Sequence, residues 1–160
     1  MTIAQQIASF IQKARFSDLS DDARNQIKIR ILDSLGVAIG AVESEPIKMI
    51  RAHIRDFGHY GRCTMIGGGT TAPDFAALYN SALVRYLDYN DSYLAKGETC
   101  HPSDNLGAVM AAGDYGGITG RQLMAALAVA YQVQCRLSDV APVRGKGFDH
   151  TTQGLSLIHI

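Results

Sequence analysis

No stretch of this chain is apolar for long enough to cross a bilayer. The longest candidate, residues 123–133, is interrupted by Gln132 and falls far short of the roughly 20 residues a spanning helix needs. Charge of one sign is also missing: fifteen Lys and Arg balance fifteen Asp and Glu in 160 residues. A neutral chain with no basic block gives no electrostatic reason to expect nucleic acid or an anionic membrane surface as a partner. An anionic ligand would have to be held by local cations. Cysteine is scarce. Cys63, Cys100 and Cys135 are odd in number and show no CxxC spacing, which argues against a disulfide framework and against a thiolate zinc site. A reduced, cytoplasmic setting is expected. HxxxH and HExxH are absent, so no metal is expected, and Ser92 lacks the GxSxG setting of a serine hydrolase. The glycine run 67–71, GGGTT, lacks both a P-loop lysine and GxGxxG spacing, and reads as a turn.

What is present is ordinary globular chemistry, 47% apolar and 19% charged, enough for one domain with a core. The periodicity is helical almost throughout. Ile3, Ile7, Phe10 and Ile11 mark an amphipathic helix over residues 2–14, and the amino terminus reads as that helix and not as a signal peptide. Ser20 followed by Asp21 and Asp22 starts a second helix, which runs to about Ala41. Gly36 and Gly40 on it are expected to admit a neighbouring helix. Ser44 and Pro46 open a third helix that Gly58 ends; His53 and His59 in that region read as surface or capping residues. Cys63 to Ile66 is expected to be briefly extended. Pro73 starts a fourth helix, Pro102 a fifth capped by Ser103 and Asp104, and Thr119 a sixth over residues 120–138. The fold class is all-α.

Chemistry concentrates in residues 85–105, RYLDYNDSYLAKGETCHPSDN, expected to be a polar loop between two helices. Asp88, Ser92 and His101 bring a carboxylate, a hydroxyl and a group that titrates near neutrality into one segment, as a proton-transfer site requires. His150 lies in a second polar loop, residues 140–154, with Arg144 and Lys146. Two histidines at loop–helix junctions suit a base and an acid, and the two cations could hold a carboxylate. Ser103 is a further substrate-binding candidate, its hydroxyl being open equally to a capping role. Cys100, beside His101, reads as a small loop residue.

DSLGVAIG at 33–40, LYNSALVRYLDYNDSYL, HPSDNLGAV at 101–109 and GFDHTTQG at 147–154 occur in an order that resembles the amino-terminal part of the MmgE/PrpD family, in its 2-methylcitrate dehydratase branch. The resemblance implies a multihelical domain that here lacks the carboxyl-terminal α/β lid. It implies a cytoplasmic lyase, homodimeric at full length, that dehydrates 2-methylcitrate to 2-methylaconitate in propionate catabolism (the methylcitrate cycle). Neither cofactor nor metal is implied, and the partner is a small tricarboxylate. It assigns catalytic roles to Asp88, Ser92, His101 and His150, with Ser92 standing where Thr is common, and it places active-site lysines beyond this chain. Decarboxylation of cis-aconitate and epimerisation of iminodisuccinate occur in the same family, and a non-catalytic helical interaction domain is the alternative from a different class.

The end of the chain departs from this pattern. HTTQG reads as the start of a helix, yet six apolar-rich residues, LSLIHI, follow and the chain stops. A back-translation of LSLIHI matches a transposon-end sequencing adapter. Residues 1–154 are therefore expected to be a partial, inactive helical domain and residues 155–160 a non-native tail.

Overall fold

The computed structural model describes residues 1–58 and 60–152; His59 and residues 153–160, which include the expected non-native tail, lie outside the described residues. The elements are α1 (Ile3–Lys13), α2 (Asp21–Ala41), α3 (Glu45–Phe57), β1 (Cys63–Thr64), β2 (Thr70–Thr71), α4 (Pro73–Tyr86), β3 (Tyr93–Ala95), β4 (Glu98–Cys100), α5 (Leu106–Gly116) and α6 (Gly120–Val140). Short 3-10 turns occupy Phe16–Asp18, Pro102–Asn105 and Arg144–Lys146.

Side-chain caps set three of the helix starts. Thr2 Oγ1 accepts from the Gln5 amide at 3.2 Å while Gln5 Oε1 accepts from the Thr2 amide at 2.9 Å. Thr119 and Gln122 repeat the exchange at α6. Ser20 Oγ accepts from the Ala23 amide at 3.2 Å and starts α2. Each such cap contributes about 1 kcal/mol. Ser44 behaves differently: its hydroxyl donates to the Ala41 carbonyl at 2.6 Å and closes α2, leaving α3 without a side-chain cap.

α4 is the central helix. It lies against α5 on one side and α2 and α3 on others, and Tyr79, Leu83, Ile47, Leu106 and Leu127 meet there at 1% exposure or less. Full burial of one such apolar side chain is worth roughly 1.5–3 kcal/mol. Contact between α4 and α5 depends on Gly107, because a Cβ there would sit 2.4 Å from both the amide nitrogen and Oγ of Ser81. Asn80, fully buried on α4, ties down the first hairpin: its Nδ2 donates to the Thr64 carbonyl at 2.8 Å, and its Oδ1 accepts from the Ile66 amide at 2.9 Å.

The all-α architecture holds, with two hairpins added. The glycine run forms the turn between β1 and β2, with φ of 89°, 111° and 96° at Gly67, Gly68 and Gly69, a region closed to most side chains. Residues 93–100 are not loop. Tyr93 pairs with Cys100, Leu94 with Thr99 and Ala95 with Glu98, and Gly97 turns the chain at φ 93°. Three-residue strands are too short to leave a readable alternation in the sequence. The fifth helix starts at Leu106, after a 3-10 turn, and neither Ser103 nor Asp104 caps it; both are taken by Asn90. Gly40 does admit a neighbour, with Leu87 Cδ1 3.2 Å from where a Cβ would stand, but nothing lies within 4 Å of that point at Gly36. His53 packs against Phe57 and Phe75, with ring centroids 5.0 and 6.1 Å away. No helix among the described residues is long and apolar enough to cross a membrane.

Candidate active site

The end of α4 sets the geometry. After Leu87 the chain turns through Asp88 at φ 55°, a left-handed conformation that Asp tolerates better than most residues. The Asp88 carboxylate, exposed, accepts from Arg85 one turn back, and that hydrogen bond and charge, with smaller contributions from His101 and His150, hold its pKa below the ordinary carboxylate range. Asn90 follows, 7% exposed, and its Nδ2 donates to both Ser103 Oγ (3.0 Å) and Asp104 Oδ1 (2.9 Å). One buried amide thereby joins the entry and exit of the β3–β4 hairpin. Burial raises the pKa of Asp104 against the opposing pull of Arg85 and His101.

The hairpin is fastened to α6 from several sides. Asp91 Oδ2 accepts from the Tyr131 hydroxyl at 2.7 Å, and Asp91 Oδ1 from the Ser103 amide at 3.1 Å. The Tyr93 hydroxyl donates to both carboxylate oxygens of Asp139 at 3.0 Å. Asn105 Nδ2 donates to Gln134 Oε1 at 2.5 Å. Behind the hairpin the thiols of Cys100 and Cys135 share a hydrogen bond. That bond draws Cys100 down to about 7 and raises the pKa of Cys135.

His101 leaves the end of β4 with its tautomer fixed. Nδ1 lies 2.7 Å from the Asp91 carbonyl, which can only accept, so Nδ1 carries the hydrogen; Ser92 Oγ is a second, longer neighbour at 3.3 Å. In the neutral ring Nε2 therefore presents a lone pair.

His150 arrives from the far end of the chain. Its ring centroid is 5.3 Å from that of His101, with the planes at 62°. Both ring nitrogens of His150 are buried and make no hydrogen bond among the described residues; Asp149 Oδ1, 3.2 Å from Nδ1, is placed for charge attraction and not aligned for a hydrogen bond. Buried ring nitrogens without partners cost free energy unless something else satisfies them. Among the described residues the pair thus combines a ring with a free lone pair and a ring whose two nitrogens make no hydrogen bond.

The second loop reaches His101 because Glu98 pins it. Glu98 Oε2 accepts from the Val143 amide (2.7 Å) and the Arg144 amide (2.9 Å), and its side chain is wholly covered. These bonds, the Arg144 amide foremost, hold the Glu98 pKa low despite burial. The Arg144 guanidinium approaches Glu98 Oε1 at 3.9 Å but is 62% exposed, and Lys146 is exposed. Ser103 is 1% exposed, with its hydroxyl turned to Asn90. Among the described residues no group of three or more His, Cys, Asp or Glu side chains is placed to hold a metal ion.

A family model described as the MmgE/PrpD N-terminal domain matches residues 5–156. The chain belongs to the MmgE/PrpD family. Curated relatives include the 2-methylcitrate dehydratase of Escherichia coli (strain K12), 28% identical over 138 residues that make up 75% of this chain and 27% of that enzyme. The Salmonella typhi enzyme of the same name matches to the same extent. The mitochondrial 2-methylcitrate dehydratase of Yarrowia lipolytica is 26% identical over 167 residues, covering 92% of this chain and 30% of the relative. The chain therefore spans under a third of the length of these MmgE/PrpD relatives.

Of the residues singled out from sequence, His101, His150 and Ser92 come together, with Asp88 close enough for both rings to act on its carboxylate. Asp91 and Glu98 belong to the polar cluster of residues 85–105 but received no individual role from sequence, and Asn90 and Tyr131 were not singled out. Their roles depend on partners 12 to 46 residues away, and no local pattern marks them. Arg85 is also new to the site: it reaches Asp88 and, at 3.4 Å, Asn90 Oδ1.

Proposed function

We propose that this site is part of a hydro-lyase centre that removes water from 2-methylcitrate to give 2-methylaconitate, in propionate catabolism. The observation carrying this reading is the His101–His150 pair, one ring with its Nε2 lone pair free and the other with neither nitrogen hydrogen-bonded among the described residues. Its reaction class rests on the family and on the names of the relatives.

The substrate bears a tertiary hydroxyl beside a carbon that carries both a hydrogen and a carboxylate. His101 Nε2 takes that hydrogen as a proton. The electron pair left behind forms the carbon–carbon double bond as the hydroxyl departs. His150, beside Asp149, gives a proton to the hydroxyl, which leaves as water. Charge building on the adjacent carboxylate calls for cationic donors. Arg144 and Lys146 are the candidates on the second loop, Arg85 is a third, and groups outside this chain supply the rest. Asp88 and Ser92 orient the rings, and Ser103 acts through Asn90. The setting proposed is cytoplasmic.

The test compares the 160-residue chain with the locus read through past residue 154 in its native frame. Each is given 2-methylcitrate, and ultraviolet absorbance of the conjugated alkene is followed. Turnover by the longer form alone supports the reading and makes this chain an inactive part. In the longer form, His101→Ala should lower turnover by roughly 10²–10⁴ if His101 is the general base. Near-normal turnover would remove that role. Product analysis distinguishes dehydration from decarboxylation or epimerisation of a related polycarboxylate.

A second reading has its own observation. Ile29, Leu32 and Ile39 on α2 are 54%, 73% and 66% exposed, along a face where Gly36 leaves open space. Such a stripe suits burial against another helical surface, either in a homodimer of the longer form or in a non-catalytic interaction domain. Light scattering that finds the 160-residue chain strictly monomeric at high concentration would count against both.

A further inference from the structure

Apart from the histidine pair, α3 and the β1–β2 turn enclose a cavity of about 690 Å3, within the size range of small-molecule sites. Lys48, Arg51 and Arg55 line it from α3, at spacings that place them on one helix face. Gly68, Gly69 and Thr70 line it from the turn. No Asp or Glu is among the lining residues. Three cations thus line one cavity with no acid among its described lining residues, and the acids nearest two of them, Glu43 and Asp56, stand outside the lining.

The three cations differ in how they are held. Arg51 Nη1 donates to the Tyr79 hydroxyl at 3.0 Å and Nη2 to the Gly68 carbonyl at 2.7 Å, so its guanidinium is fixed between the core and the turn. Lys48 pairs with Glu43 at 2.9 Å and Arg55 with Asp56 at 3.3 Å, but these are surface pairs with the cations 51% and 76% exposed. Exposed pairs of this kind are weak, and a multiply charged ligand competes with them readily. The turn leaves open space beside them. At Gly68 and Gly69 nothing lies within 4 Å of where a Cβ would stand, and the positive φ keeps side chains out. Phosphate and carboxylate oxygens can therefore approach the three side chains without obstruction from the turn.

We propose that this cavity binds a compact polyanion, a small molecule carrying at least two phosphate or carboxylate groups. The site is separate from the dehydratase reading, since none of the residues assigned to that centre lines it.

The test titrates the 160-residue chain at low salt with pyrophosphate and, separately, with citrate, by calorimetry. One equivalent of either probe should bind, more weakly as salt rises. Tighter binding of pyrophosphate identifies a phosphate ligand, and tighter binding of citrate a polycarboxylate. The double variant Lys48→Gln/Arg55→Gln, changed only at exposed positions, should bind about tenfold or more weakly through loss of two charged donors. Arg144→Gln/Lys146→Gln should bind like the parent. Absence of binding at millimolar probe, or unchanged affinity in the Lys48/Arg55 variant, would overturn the proposal. So would a loss confined to the Arg144/Lys146 variant, which would assign the anion to the histidine centre.

Discussion

Replacing Glu98 by Gln tests how the two histidines are brought together. In the native chain one carboxylate oxygen accepts two backbone amides, from Val143 and Arg144, at 2.7 and 2.9 Å. The other accepts the Thr99 amide at 3.3 Å and faces the Arg144 guanidinium. Glutamine keeps one oxygen for Val143 and Arg144 but sets an NH2 against the Thr99 amide and the guanidinium, donors facing donors. Hydrogen bonds to a charged group are worth about 1.5–3 kcal/mol against 0.5–1.5 for neutral ones, so two of them weakened together lose about 2 kcal/mol of pinning. That raises the open population of the segment by roughly 30-fold. Amide hydrogen exchange reads it directly: Val143 and Arg144 should exchange roughly 30 times faster in Glu98→Gln, while core amides such as Leu83 keep their protection. pH adds a signed control. The folded pKa of Glu98 is depressed, so its contribution is complete above the ordinary carboxylate value near 4.3 and is lost as pH falls through the depressed value. Protection of the two amides, corrected for intrinsic exchange, should fall over that acid range in the parent and stay flat in Glu98→Gln. Unchanged exchange at Val143 and Arg144 in the variant would refute the pinning role.

Other perturbations have equally definite outcomes. Gly107→Ala places a methyl 2.4 Å from the Ser81 backbone and should cost about 1–3 kcal/mol by overpacking, seen as a Tm lower by several degrees; an unchanged Tm would show that α4 and α5 can separate freely. Cys135→Ala removes the hydrogen bond that brings Cys100 to about 7, so burial should move its thiolate absorbance step at 240 nm to higher pH, and a stationary midpoint would exclude the thiol pair. Asp104 is raised by burial, so its ionisation opposes folding once pH exceeds the ordinary carboxylate value. Asp104→Asn should accordingly gain more stability at pH 7 than at pH 4, and an equal effect at both would contradict the burial cause.

Sequence alone determined the helices. Their starts lie in local chemistry, such as Thr2 with Gln5, Ser20 with the Ala23 amide and Thr119 with Gln122, and their apolar faces repeat every three to four residues. The two histidines were also legible, because titratable groups beside hydroxyls and carboxylates stand out from apolar surroundings, and the family motifs run through them. Tertiary structure alone decided the rest. The β3–β4 hairpin is three residues deep and survives because Tyr93, Asp91 and Glu98 find partners 12 to 46 residues away, at Ser103, on α6 and on the second loop. The loop that carries His150 to His101 is held by a buried carboxylate that binds main-chain amides, and amides have no sequence signature. Three cations spaced along α3 become a cavity only when the glycine turn folds against them. Periodicity and caps are properties of neighbouring residues, whereas pinning, enclosure and the pairing of distant rings are properties of space, which a linear order does not carry.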